Sequence, residues 1–525
     1  MDKNEKKLRE DFEKILVNQK IQNLLKINLK SFPLTYYFMN RFLSYNARKA
    51  QLPENKNQNF NNFKKIKNII DKYALCIKNT ICKSPQNIKE IDILFMSRNW
   101  FFKIQTPSKD EIKSDYLFGN LIHEIKKNHS SYKMLFLSTT FNSVPSTSDV
   151  KVYSSINYSN PFILIESIIL TVVIYVKWIF SKNSINNYLI NTSSKNFRQY
   201  FNSFFKFRTI LNCVFYDLCL QNALLKIEPK LIVASDDVMQ LKPVYDSKNI
   251  KMVVMQSTSM VEIYEVFRSI FISNLEFEEL MPDYFFVIGY KYKKIKEKFL
   301  APSKILVTGQ PRYDILHYAK EIYAKDKFLV ENKIGKNKKI VLWTTQCHGM
   351  PTNENINNLE AICRAVKDLN LVLMIKQHPN EGEYYTELIK EYLAKYNVEA
   401  LLTGKNSDTY QQIYVCDLLI TKDSTTALEA IAINKPVIIL NLGPKSDIMD
   451  YVTEGVAKGV YAKEDLKPSI EKLILDDSEL AKKREEYIKQ HLYKIDGKST
   501  ERVLNIILNL LKDHKTDFPQ MSSKK

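Results

Sequence analysis

Glycine is scarce in this chain, 11 residues in 525. The sequence is rich instead in Lys, Asn and Ile, so the shortage reads as the compositional bias of an AT-rich genome. Cysteine is also thin. The seven thiols (Cys76, Cys82, Cys213, Cys219, Cys347, Cys363, Cys416) form no CxxC pair, are odd in number, and several sit in apolar segments. That pattern predicts buried, reduced thiols and no zinc site. The opening MDKNEKKLREDFEK lacks the apolar core of a signal peptide, so the bulk of the chain is expected in the cytoplasm. A clean membrane-spanning run is missing too. Pro161 to Phe180 comes nearest, but Glu166 and Lys177 leave only ten uninterrupted residues, Ser167 to Val176. A spanning helix needs about 20. A buried helix, or one lying in the interface with Lys177 and Trp178 at the headgroups, is the expectation.

What is present is ample core material: 45% hydrophobic and 12% aromatic residues exclude wholesale disorder. The length exceeds one core and predicts two domains plus an extension. The formal charge is +19, and residues 1–90 hold 19 Lys/Arg against 8 Asp/Glu. A basic face of this kind either meets anionic lipid or a phosphorylated acceptor, or is plain solvated surface. No nucleic-acid module accompanies it, so nucleic acid is not an expected partner.

The most informative stretch is Val415 to Asn441. Leu418-Leu419-Ile420 reads as a strand buried on both faces. Asp423-Ser424-Thr425-Thr426 follows, residue types that cap helix N-termini. Ala427 to Ile433 are good helix formers, stopped by Asn434 and Pro436, and Val437 to Leu440 is a second strand. This is a βαβ unit of a parallel sheet. The free N–H groups of its helix tip, with the hydroxyls of Ser424, Thr425 and Thr426, suit a phosphate. Glu429 falls four residues after Thr425 on the same helical face, placed to accept from a ribose. The plain alternative is a well-capped structural helix with a solvated Glu429.

The pattern D-L-L-I-T-x-D-S-T-T-A-L-E-A-x-A-x-x-K-P-V-I resembles the nucleotide-binding βαβ of GT-B-type glycosyltransferases and of UDP-N-acetylglucosamine 2-epimerases. It is also similar to surface-polysaccharide transferases of the glycerophosphotransferase-like group. Val307-Thr308-Gly309-Gln310-Pro311-Arg312-Tyr313-Asp314 resembles the family's V-T-G-x-P-R-x-D element, which closes the N-terminal domain. His378-Pro379 resembles the family's His-Pro, whose imidazole serves the nucleotide phosphate or leaving group. Asp496-Gly497-Lys498-Ser499-Thr500-Glu501-Arg502 resembles its C-terminal end. The resemblance covers about residues 91–511 and implies an α/β fold of two Rossmann-like domains facing across a cleft, with a helical N-terminal extension. The expected organisation is a basic helical extension over 1–90, an acceptor domain over 91–315 that includes the apolar helix 161–180, a nucleotide-binding domain over 316–495, and a helix with polar tail over 496–525.

Strand runs are expected at 91–96, 134–137, 231–234, 251–255, 340–343 and 371–375, with a loop over 97–114, and 283–289 is a further stretch similar to the family. Ligands in open α/β sheets bind beyond the carboxyl ends of strands. Asp236 and Asp237 follow one such strand and are candidate bases, the alternative being a polar helix cap. Gln256 and Ser257, also acceptor candidates, follow another, at a point where the glycerophosphotransferases have a His-Gly that this chain lacks. Ser97, Arg98 and Asn99 are acceptor candidates through the resemblance. Thr344-Thr345-Gln346 and Lys376, with His378 and Pro379, end two strands on the nucleotide side. Gly309, Gln310 and Arg312 join the nucleotide set with Asp423, Ser424, Thr425, Thr426 and Glu429.

The functional expectation is a transferase moving a glycosyl or polyol-phosphate group from a nucleotide-activated donor to a surface polysaccharide or lipid-linked acceptor. It calls for no metal and no further cofactor. Peripheral contact with an anionic membrane, at the inner face of the plasma membrane, is the expected location. A UDP-sugar 2-epimerase is the alternative, opposed by Ser424-Thr425-Thr426 where epimerases carry Ser-Gly-Gly. A non-catalytic relative is the third reading, favoured by the missing His-Gly.

Overall fold

The computed structural model describes residues 10, 18–41, 88–98, 100–139, 147–239, 241–243, 250–257, 280–298, 300–346, 352–379, 381–443 and 447–512. The expected helical spacing at 8–16 and 63–73, the loop at 53–59, and Cys76, Cys82 and Cys347 lie outside those residues. α1 (Gln19–Leu25) and a helical run over 34–41 represent the extension and pack into the first core.

The first sheet has seven parallel strands in the order β5-β4-β1-β6-β7-β8-β9. They are β1 (Ile93–Ser97), β4 (Met134–Ser138), β5 (Lys151–Ser154), β6 (Leu231–Ser235), β7 (Lys251–Met255), β8 (Tyr284–Val287) and β9 (Ile305–Val307). Their centres are continuous apolar runs because both faces are covered. On one face lie α3 (Pro161–Thr192), α4 (Lys195–Phe204) and α5 (Phe207–Ile227). The other face carries α2 (Gly119–Asn128) and the chain's last described helix.

Between β1 and α2 the structure differs from the expected loop. β2 (Phe101–Gln105) and β3 (Glu111–Asp115) pair as an antiparallel hairpin, its turn closed by Thr106 N–H to Asp110 O at 2.9 Å. The apolar helix is also longer than expected, 32 residues against 161–180. Beyond Phe180 its sequence turns polar while Ile185 and Leu189 keep one side anchored.

A second parallel sheet follows in the order β12-β11-β10-β13-β14-β15. Its strands are β10 (Ile340–Thr344), β11 (Val372–Lys376), β12 (Ala400–Thr403), β13 (Leu418–Thr421), β14 (Val437–Leu440) and β15 (Lys458–Val460). Around it pack α7 (Thr352–Asp368), α8 (Glu383–Tyr396), α9 (Thr409–Val415), α10 (Thr425–Ala432), α11 (Leu466–Leu475) and α12 (Ser478–Leu492). α11 and α12 are parted at Asp476-Asp477, where Asp476 accepts the N–H of Ser478 at 2.9 Å. The sheets are separate. The first ends at Val307, the second begins at Ile340, and short helices between 314 and 331 join them.

The chain then returns. α13 (Ser499–Lys512) lays Val503, Leu504 and Ile507 against Phe95, Phe136 and Val253 of the first sheet. Both oxygens of Asp314 take the N–H groups of Ser499 and Thr500, at 2.8 and 2.7 Å. Arg502 donates to Thr308 O at 2.8 Å and clasps both oxygens of Asp496. Gly309 has φ of +73°, and a Cβ there would lie 2.5 Å from Ser499 Oγ. A side chain at 309 would therefore be both strained and blocked.

Four of the seven cysteines are described, and Cys213, Cys219, Cys363 and Cys416 are all buried and free. Burial lifts the thiols of Cys213, Cys363 and Cys416 to about 12, so they are protonated and inert.

Candidate functional site

Each sheet reverses its winding direction once. In the first, the chain runs outward from β1 to β4 and β5, then restarts on the other side of β1 with β6. In the second, it runs from β10 to β11 and β12, then restarts beside β10 with β13. At such reversals the connecting segments diverge and leave a crevice at the carboxyl ends of the strands, the usual ligand position. Most of the chemically capable residues cluster at these two points.

The second crevice is rich in hydroxyls. Thr344 ends β10 and Thr426 opens α10, and their Oγ1 atoms are 2.9 Å apart. Ser424 caps α10, accepting from Thr426 N–H at 3.2 Å, while Tyr451 donates to its carbonyl. Gln346 accepts the N–H of Asp423 at 2.7 Å, and Asp423 accepts that of Ile448 at 3.0 Å. Burial raises the pKa of Asp423. Just past β10, Thr345 Oγ1 accepts the N–H of His378, which follows β11, and donates to the buried Glu381 carboxylate, 2.7 and 2.8 Å from its oxygens. Lys422 meets Glu354 in a largely buried ion pair at the base of α10. Ser424, Thr425, Thr426 and His378 keep partial exposure, and Pro379 is exposed. An α-helix tip with hydroxyls on three successive residues offers donors that suit a phosphate oxygen.

Lys376 is different. It is buried, its ammonium donates to the carbonyls of Gln377 and Lys405, and burial pulls its pKa down to about 8. It braces the loops behind the crevice.

The first crevice carries charge. Arg98 Nε lies 2.8 Å from Asp237 Oδ2, and Ser235 also donates to Asp237. Asp236 accepts from the N–H and hydroxyl of Ser257 at 2.8 and 2.6 Å. Ser97, at the end of β1, is buried beside them, and Asn99 lies outside the described residues. Gln256 belongs to the interior: it is 1% exposed, takes the N–H of Ile288 at 2.9 Å, and its carbonyl accepts from Gln310 at 2.5 Å.

Four residues expected to meet nucleotide are packed elsewhere. Glu429 has no exposed surface and accepts from Tyr116 OH at 3.1 Å, with Arg312 Nη2 at 3.7 Å. Arg312 sits 4.5 Å over the rings of both Tyr116 and Tyr313. Gln310 is held against β7, and Gly309 against α13. Tyr116, Arg312 and Glu429 tie the two domains together: Tyr116 comes from the first, Glu429 from the second, and Arg312 from the connection. Burial raises the pKa of Glu429, and the Arg312 guanidinium and Tyr116 hydroxyl pull it back. Sequence reasoning missed Glu354, Glu381, Lys422 and Tyr116. Of these only Lys422, next to the Asp423 motif, carried a local signal.

Residues 255–509 match the family described as CDP-Glycerol:Poly(glycerophosphate) glycerophosphotransferase. Over that stretch, just under half of its length, the chain is similar to this family of transferases. Among solved structures it is similar to the wall teichoic acid polymerase TagF, at 13% identity and a TM-score of 0.47, covering 86% of this chain and 97% of that one. It is similar also to MnaA of S. aureus solved with UDP, at 14% and 0.45, covering 82% and 100%. The UDP-GlcNAc 2-epimerase of Neisseria meningitidis, solved with UDP-GlcNAc, stands at 14% and 0.45, covering 80% and 100%. Likenesses this remote carry no functional argument. No curated protein matches the chain.

Proposed function

We propose that this protein transfers a polyol-phosphate unit from a cytidine-diphosphate-activated donor to a hydroxyl of a cell-surface polymer or its lipid-linked precursor. The observation that carries the reading is the pair of crevices, one built of neutral donors and one of carboxylates, in a chain whose residues 255–509 match a glycerophosphotransferase family. The α10 tip with Ser424, Thr425 and Thr426 holds the donor's phosphates. His378 stands beside it for the leaving nucleotide. In the step itself an acceptor oxygen bonds to the phosphorus of the polyol-phosphate, and the bond from that phosphorus to the bridging oxygen breaks. Nucleoside monophosphate leaves with the electron pair.

The acceptor hydroxyl gives its proton to Asp236. Asp237 is neutralised by Arg98, and Asp236 is oriented by the N–H and hydroxyl of Ser257 at the carboxyl end of β6. Helix N–H groups and His378 offset charge on the phosphates, so the reading routes no step through a metal. The acceptor brings the protein to a membrane as a peripheral enzyme.

Release of cytidine monophosphate from CDP-glycerol, measured with and without a lipid-linked glycerophosphate acceptor, tests the reading. Acceptor-dependent release supports it, and His378→Ala should lower kcat more than it raises KM. Tight donor binding with no release at any acceptor concentration would reduce the protein to a binding relative.

A further inference from the structure

A second contact between the domains leads to the donor crevice. α6 (Tyr290–Lys296) follows β8 in the first domain and packs on the C-terminal turns of α12 in the second. The approach is backbone to backbone: a Cβ at Gly289 would lie 2.3 Å from Gln490 O. Only glycine admits it. Tyr292 is buried there with its hydroxyl 3.3 Å from His491 Nδ1, and the His491 ring stacks on Tyr487 at 3.8 Å. Burial pushes the His491 imidazole down to about 4, so it adds no charge to the contact at neutral pH.

Asp450 sits at the centre of this contact. Its Oδ1 accepts from the Tyr487 hydroxyl at 2.9 Å, and its Oδ2 is paired with the ammonium of Lys291, which comes from α6. The next residue, Tyr451, is 1% exposed, and its hydroxyl donates to the carbonyl of Ser424 at 3.2 Å. The N–H of Ala427 donates to the same carbonyl, also at 3.2 Å. That carbonyl therefore points down the axis of α10. The peptide joining Ser424 to Thr425 is planar and trans, so the Thr425 N–H points the opposite way, out of the helix tip. An N–H in the first turn has no carbonyl one turn back to take it. A contiguous path of contacts thus runs from α6 in the first domain to that N–H in the second: Lys291, Asp450, Tyr451, Ser424.

We infer that Tyr451 and, through Asp450, Lys291 are positioning residues that aim the Thr425 N–H at the donor's phosphate. The Lys291–Asp450 pair keeps about a third of its side-chain surface exposed, 34% and 29%, and so adds little to stability by itself. Its part is geometric. Donor affinity depends on α6 staying docked on α12, which couples the phosphate tip to the placement of the first domain. The inference rests on the α10 tip being the phosphate site, as proposed above.

Calorimetric titration of the full chain with CDP-glycerol and with cytidine tests it. Tyr451→Phe removes one hydroxyl and keeps the ring, and it should weaken CDP-glycerol binding roughly three- to tenfold. Lys291→Met should weaken it about threefold, the smaller loss of a partly exposed pair, and Lys291→Arg should keep wild-type affinity. Cytidine, which carries no phosphate, should bind all three variants as it binds wild type. Because Lys291 acts through Tyr451, adding Lys291→Met to Tyr451→Phe should cost no further affinity. A purely structural role predicts lower melting temperatures with affinities unchanged, or equal losses for both ligands, and either result overturns the inference. So do additive losses in the double variant. Wild-type affinity in Tyr451→Phe, beside weakened binding in Ser424→Ala/Thr425→Ala, overturns the inference and leaves the phosphate site standing. Wild-type affinity in Ser424→Ala/Thr425→Ala removes the phosphate site, and the inference with it.

Discussion

The two crevices occupy the same topological position in their sheets and are furnished in opposite ways. Beside β13 the crevice offers hydroxyls, helix N–H groups and an imidazole, and Lys422 there is paired to Glu354. Beside β6 it offers two adjacent carboxylates, one neutralised by Arg98. A site for phosphate is better served by oriented dipoles, which need no counter-charge when empty. A site for an acceptor hydroxyl needs a base, and a carboxylate held by Ser257 serves. In the function proposed above, what separates donor side from acceptor side is the kind of polar group at the strand ends, because the backbone geometry is shared.

Asp236→Asn attacks that difference most strongly. It should lower turnover by ~10²–10⁴-fold while donor affinity stays at the wild-type value, measured by steady-state release and calorimetry. A loss confined to donor affinity would erase the distinction between the crevices. Arg312→Ala tests what lies between them. It leaves Glu429 buried and unpaired, and should cost about 3–5 kcal/mol of unfolding free energy in a urea titration. Adding Glu429→Leu should restore most of it. If Glu429 instead served a ribose directly, Arg312→Ala would change nucleoside affinity more than stability. Asp314→Ala removes the acceptor for the first N–H groups of α13 and should cost ~1–2 kcal/mol. Proteolysis near residue 497 should speed up with it, since α13 is the return tie between domains.

Much of the second domain was legible because its strands are unbroken Val/Ile/Leu runs: β10, β11, β13 and β14 fall within a residue of expectation. β12, with Ala400 exposed and the rest half-buried, has no such run and gave no signal. The β2–β3 hairpin hid for a similar reason, its first strand Phe-Phe-Lys-Ile-Gln being partly exposed throughout. In the candidate site, spacing correctly put Thr425 and Glu429 one turn apart. It could not reveal the partner of Glu429, since Tyr116 is 313 residues away in sequence. The G-Q-P-R-Y-D and D-G-K-S-T-E-R motifs read separately as markers of a nucleotide fold. The structure shows one assembly, in which Asp314 caps the helix that Ser499 begins and Arg502 reaches back to Thr308. Contacts of this kind are invisible to local pattern.

The central claim is that the tip of α10 holds the donor's phosphates, and calorimetric titration of Ser424→Ala/Thr425→Ala with CDP-glycerol tests it most directly. Ser424 also caps its own helix, so the titration belongs well below the variant's melting temperature, where the folded fraction is complete. The account predicts binding weakened by about 1–3 kcal/mol, roughly ten- to a hundredfold. Wild-type affinity in the folded variant, with only its melting temperature lowered, would contradict it and leave α10 a capped structural helix.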